Sequence, residues 1–156
     1  MSWRLARSDF VRQRGEMNKK ALKGLVDSGQ VPGILAYAEG QPIGWCAVAP
    51  REAFLRLERS RILSRVDDKP VWSIVCFFVA KAFRGKGLSV RLLEAAVNYV
   101  RGQGGKIVEG YPVEPNKDWR PPDPFVYTGV ASAFRKAGFM EIIRRSKTRP
   151  IMRYEP

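Results

Sequence analysis

The stretch Val71–Gly102, VWSIVCFFVAKAFRGKGLSVRLLEAAVNYVRG, decides how the chain folds. Ile74 to Ala80 is almost wholly apolar and rich in β-branched and aromatic side chains, the composition of a strand buried on both faces. From Leu88 the period changes. Leu88, Leu92, Ala95, Ala96 and Tyr99 recur at helical spacing, while Arg91, Glu94, Asn98 and Arg101 fall mostly elsewhere. Gly102 supplies a helix C-terminal signal. Between strand and helix lies the basic turn Arg84-Gly85-Lys86-Gly87. That order gathers unpaired backbone N–H groups and the positive end of a helix dipole at one spot, which suits phosphate. Gly85 and Gly87 permit close approach, and Arg84 and Lys86 add charge. The turn is too short for GxxxxGK(S/T) and lacks the GxGxxG spacing. Taken by itself, it is explained equally well as a solvated strand–helix connection.

Outward from this segment, Glu16 to Ser28 reads as an amphipathic helix, with Met17, Ala21, Leu22, Leu25 and Val26 on one face. Gly33–Ala38 and Ile43–Ala49 read as a hairpin about Glu39-Gly40-Gln41-Pro42. Arg51 to Asp68 is highly charged, with a short helix near Glu52 to Leu57. Lys106–Tyr111 is a further strand, and Pro112–Pro124 is a proline-rich irregular loop holding Trp119. Thr128 is the expected cap of a helix running to Ala137, closed by Gly138. Phe139–Arg144 and Thr148–Tyr154 make a last pair of strands. Trp3 to Val11 has no clear strand alternation. Without repeats or a linker, residues 1–156 read as a single domain.

Composition narrows the function. The chain is 45% hydrophobic, with no apolar run long enough to span a bilayer. Arg4, Arg7 and Asp9 interrupt any signal-peptide pattern. Cys46 and Cys76 lie in apolar strands, as buried thiols of a reducing compartment do, and the expected location is the cytoplasm. There are no histidines, which excludes His-based catalysis and argues against a zinc site; no metal is expected. A net charge of +13 raises nucleic acid as a partner. The charge is spread along the chain, however, with no nucleic-acid motif beside it. It serves equally to steer an anionic ligand.

Val79 followed by Arg84-Gly85-Lys86-Gly87-Leu88-Ser89 closely resembles motif A of the GNAT superfamily of N-acetyltransferases, (Q/R)-x-x-G-x-(G/A) after a strand. Ser89 stands where the family has a small apolar residue. Downstream, Ala133-Phe134-Arg135-Lys136-Ala137-Gly138-Phe139 resembles the family's closing helix, Gly-Phe and strand. The resemblance covers roughly Val31 to Arg145. It implies an α/β (α+β) fold, with a mixed, mostly antiparallel central sheet and flanking helices. The family's fourth and fifth strands splay apart in such a sheet. Family members usually open with a strand and a helix before the helix placed here at Glu16. That first strand is expected to be absent, short or supplied by another chain. An uncovered edge favours association, so a homodimer is expected.

The resemblance also implies a chemistry. Acetyl-CoA is the acyl donor, its pantetheine arm lying along Phe77, Phe78 and Val79. Its pyrophosphate sits on the amides of Arg84, Gly85, Lys86, Gly87, Leu88 and Ser89. An amine, on a small molecule or a peptide, attacks the thioester directly, with a backbone N–H near Phe78 or Val79 stabilising the oxyanion. The family's usual acid, a tyrosine, is replaced by Phe134, which belongs to the cofactor site. Tyr127 or Tyr111 is then the candidate acid; Tyr127 stands where the family often has an asparagine touching the cofactor. Glu109 is the first candidate base, because a carboxylate in an apolar strand is unusual, and Glu114 the second. A salt-bridged strand-end residue is the equal alternative for Glu109. Trp45, Trp72, Phe77, Phe78 and Phe83 are candidates for an acceptor pocket and, more simply, for the core. The proline-rich loop and Arg51–Asp68 are the candidate acceptor-binding segments. Two other readings stay open: a degenerate coenzyme A sensor, and a basic nucleic-acid-associated module.

Overall fold

A computed structural model describes residues 1–119, 121–122 and 126–155. Pro124, the last proline of the loop, lies outside the described residues. The elements are α1 (Arg7–Arg12), α2 (Glu16–Asp27), β1 (Ile34–Ala38), β2 (Gln41–Pro50), α3 (Leu55–Glu58), β3 (Trp72–Val79), α4 (Leu88–Gly102), β4 (Val108–Gly110), α5 (Ala131–Lys136), β5 (Met140–Arg144) and β6 (Pro150–Tyr154). The strands form one six-stranded sheet in the order β1-β2-β3-β4-β6-β5. Among the described strands β3 and β4 run parallel, and the other pairs are antiparallel. A parallel pair needs a crossover, and α4 supplies it. The fold is the mixed, mostly antiparallel α+β sheet that the sequence implied.

Each element has a local cause. Glu39 and Gly40 both adopt positive φ, 50° and 76°, the backbone of the tight turn that joins β1 to β2. Along α4, Leu88, Leu92, Leu93, Ala96, Val97 and Val100 are buried against Cys46, Val48, Ile74 and Phe77 of the sheet. Each large aliphatic side chain so buried contributes ~1.5–3 kcal/mol. A second cluster, built around Phe54, Leu57, Val75, Tyr111 and Ile151, also holds Trp3.

Four expectations are corrected. α1 overlaps Trp3–Val11, where the sequence shows no element, and runs one residue past it; its six residues bury nothing, so no apolar stripe marks it. The strand expected over Lys106–Tyr111 shortens to Val108–Gly110, because pairing with β3 stops at Ile74. Thr128 caps no helix: α5 starts three residues later with Val130 in the cap position, and the Thr128 hydroxyl accepts a hydrogen bond from Arg149. Phe78 is 58% exposed, because β3 has no neighbouring strand on one edge at that point. Among the described residues no strand precedes α2, so β1 is an edge of the sheet.

Candidate active site

The site is built from the edge that β3 loses. β3 pairs with β4 only through Trp72, Ser73 and Ile74, so Val75 to Val79 face a gap. Phe134 of α5 is completely buried and stands edge-on to Phe77, with ring centres 6.0 Å apart. It also sits against two glycines. A Cβ on Gly110 would fall 2.6 Å from Phe134 Cζ, and one on Gly129 would fall 2.9 Å from Cε2. No side chain fits at Gly110, where β4 ends. The far wall of the gap is the segment 126–130. The Phe77 amide donates to the Tyr127 carbonyl at 2.6 Å, pinning that wall to β3 at one point. A cavity of about 590 Å³ remains, lined by Phe77, Phe78, Val79, Tyr127, Gly129 and Val130 among others.

At its end the gap meets the start of α4. Gly85 and Gly87 have φ of 71° and 78°, a region that favours glycine, and a Cβ on either would meet open space. Gly87 precedes the helix and caps it with no side chain. Among the described residues the amides of Lys86, Gly87, Leu88 and Ser89 donate to no backbone carbonyl. Arg84 donates through Nε to the Val79 carbonyl at 3.1 Å, tying the turn to the strand end. Lys86 lies over the Phe83 ring. A second cavity of about 270 Å³ is lined here by Arg84, Gly85, Gly87, Ser89, Ser132 and Lys136 among others. Val79, Arg84, Ser89 and Val130 line both cavities. Free N–H groups, a helix dipole and a cationic rim together suit a pyrophosphate joined to an extended arm. Ser132 and Lys136 were not singled out in the sequence as phosphate-side residues, although Lys136 lies within the quoted Gly-Phe motif.

The catalytic candidates are brought together only in part: Glu109 and Tyr111 meet in a buried network, and Tyr127 stands apart from it at the gap. Tyr127 lines the gap. Glu109 is 1% exposed and fully engaged elsewhere. Its Oε1 accepts from Arg153 Nη2 at 2.6 Å, and its Oε2 accepts from the Tyr111 hydroxyl at 2.9 Å. Tyr111 also accepts from Arg51 Nη1 at 2.7 Å and lies 2.8 Å from Ser73 Oγ. Burial, and then the Glu109 charge, push the Tyr111 phenol well above its ordinary range. Arg51 is itself buried, donating to Glu58 at 2.7 Å and to the Leu63 carbonyl at 2.7 Å. Arg153 extends the network to Asp67 at 2.8 Å. The sequence signal for this network is the carboxylate of Glu109 in an apolar strand; Arg51 and Arg153 carry no such mark. Glu114 is held by Arg135 and Arg144. Partial burial raises its carboxyl, but the hydrogen bonds from those arginines outweigh this and set it below its usual value.

A model of the acetyltransferase (GNAT) family matches residues 3–118. The chain belongs to this family. Its members are acetyltransferases, and the gap and phosphate turn are the parts of this GNAT domain suited to acyl transfer. The fold is similar to that of PaiA N-acetyltransferase from Thermoplasma acidophilum, solved with coenzyme A. That match has a TM-score of 0.57 and 14% identity, covering 96% of this chain and 77% of that one. It is similar also to the aminoglycoside acetyltransferase AAC(6')-Ib in complex with coenzyme A and kanamycin. There the TM-score is 0.56 and the identity 18%, covering 90% of this chain and 75% of that one. A ribosomal-protein-alanine N-acetyltransferase from Brucella melitensis gives a TM-score of 0.55 at 15% identity, over 91% and 80% of the two chains. No curated protein sequence matches the chain.

Proposed function

We propose that this GNAT domain transfers an acetyl group from acetyl-CoA to a primary amine by direct attack. The observation that carries the reading is the row of amides from Lys86 to Ser89, which have no backbone acceptor among the described residues, at the mouth of the β3 gap. Those amides, with Lys136 and Arg84 beside them, would hold the pyrophosphate. The gap past Val79 would take the pantetheine arm. The amine nitrogen attacks the thioester carbonyl carbon, forming a C–N bond as the C–S bond breaks and the thiolate leaves. Strand alternation puts the Val79 amide on the same edge as that of Phe77, which suits an oxyanion donor. The proton lost by the amine ends on the thiolate. Tyr127 is the candidate to pass it, because its side chain belongs to the residue lining the gap, whereas Glu109 and Tyr111 are occupied in the buried network. We assign Glu109 and Tyr111 to holding β4, not to proton transfer.

One observation favours a second reading, a coenzyme A-binding protein without turnover. Phe134, at the family's tyrosine position, is buried and has no proton to give. The test is calorimetric titration with acetyl-CoA, with Arg84→Glu as control, followed by thiol release with amine acceptors. Binding lost in the variant supports the phosphate site, and binding without thiol release from any amine supports the second reading. No binding by the parent protein overturns both. We also propose a homodimer through the β1 edge, where Leu35 and Tyr37 are exposed; a monomer by sedimentation would remove it.

A further inference from the structure

Tyr127 has a second neighbourhood. Besides the gap it lines a separate cavity of about 510 Å³ with Trp3, Arg7, Arg56, Arg59 and Arg149. Four arginines therefore face one hollow, and among the described residues no carboxylate lines it. The side chains of Arg7 and Arg59 have no hydrogen bond or ion pair among the described residues. Arg56 donates through Nη1 to the Ser2 carbonyl at 3.2 Å and stacks over the Trp3 ring. Arg149 donates through Nη1 to the Tyr111 carbonyl and the Thr128 hydroxyl, at 3.3 and 3.2 Å. Burial holds the Arg149 guanidinium below its ordinary pKa, an effect that Tyr127 offsets only in part. A second, independent observation comes from Trp3. It is only 8% exposed, yet its indole Nε1–H has no acceptor among the described residues. A buried donor without a partner keeps the cost of its lost hydration.

These features describe a site that lacks its acceptor of hydrogen bonds. Each guanidinium offers five N–H donors in a planar fork that matches a carboxylate or phosphate. The cavity and the β3 gap share Tyr127, so a molecule in the cavity lies next to the place assigned to the thioester. We propose that this cavity anchors the acceptor, and that the acceptor is an amine carrying a carboxylate or a phosphate group. The proposal rests on the acetyl-transfer reading above and adds the substrate class. Nothing in it requires Glu109. Arg59 and Arg149 are binding residues here, and Tyr127 stands at the junction of the two cavities.

The test uses the whole protein saturated with coenzyme A. It is titrated by calorimetry with a series of ω-amino acids of increasing length and with their carboxamides, at low and at physiological salt. A phosphate arm compares O-phosphoethanolamine with ethanolamine. A charge-assisted hydrogen bond is worth about 1.5–3 kcal/mol, so the charged member of a pair should bind roughly tenfold tighter or more. Arg59→Ala should remove most of that preference. Arg59 is exposed and its side chain is unbonded among the described residues, so this variant keeps the fold. Arg149→Gln should act in the same direction. The arm showing the preference tells carboxylate from phosphate. Equal binding of charged and neutral members, binding of neither, or a preference that survives in Arg59→Ala overturns the proposal. If coenzyme A binds while the preference is absent, only the substrate class falls. If coenzyme A itself does not bind, the acetyl-transfer reading falls and the anchoring role with it.

Discussion

Replacing Glu109 with glutamine separates a base from a structural anion. Glutamine keeps the size and one acceptor oxygen but removes the charge. In the native protein that charge meets Arg153 at 2.6 Å and the Tyr111 hydroxyl at 2.9 Å, with Arg51 Nη1 at 3.7 Å. All four groups are nearly or fully removed from solvent. Breaking a buried pair by removing one partner costs about 3–5 kcal/mol, because an uncompensated charge stays behind. Arg153 retains Asp67 and Arg51 retains Glu58, so the lower end, about 3 kcal/mol, applies. For a domain of this size each kcal/mol shifts Tm by about 2–4 °C, so the midpoint should fall by roughly 6–12 °C. The assay is thermal unfolding by circular dichroism at neutral pH, with acetyl-CoA titration of the folded variant. Affinity should be unchanged well below the midpoint, since Glu109 does not line the gap. An unchanged midpoint would refute the reasoning. An unchanged midpoint together with lost thiol release would restore Glu109 as the base.

Gly110→Ala drives a methyl group into the Phe134 ring and should destabilise by about 1–3 kcal/mol, as overpacking does. Phe134→Leu in the same chain should recover part of that loss, and a double-mutant cycle on denaturant midpoints measures the coupling. The acid limb of stability has a definite sign. Hydrogen bonding from Arg65 lowers the Glu52 carboxyl, and Glu114 is lowered despite its partial burial. Their contribution is complete above the unfolded value near 4.5 and is lost as pH falls through the lower folded values. Thermal midpoints should therefore decline below about pH 4.5, and Glu114→Gln should make that decline shallower.

The sequence carried what depends on period and local order. The strand ending at Val79, the glycine turn and α4 were legible because a change from strand to helix spacing leaves a mark in consecutive residues. α1 left no such mark, since it buries nothing. The phosphate end was legible for the same local reason as α4. The buried network was not: Arg51, the Glu109–Tyr111 pair and Arg153 meet from three separated segments, which only the sheet order makes neighbours. The cavity with four arginines was equally hidden, because Arg7, Arg59 and Arg149 read as dispersed surface charge until the fold gathers them. Phe134 is legible from its motif position, but its full burial edge-on to Phe77 beside the gap is not, because only the fold brings the two rings together.

The bond from the Phe77 amide to the Tyr127 carbonyl has a kinetic and thermodynamic consequence. It makes the protein an internal competitor for its own strand edge. A ligand arm that extends along β3 as far as Phe77 must displace a carbonyl already docked there. Exchanging one such contact is worth about 1 kcal/mol, roughly a factor of five in affinity. Protection of the Phe77 amide against deuterium exchange thus becomes a direct gauge of how often the latch at Tyr127 stands open.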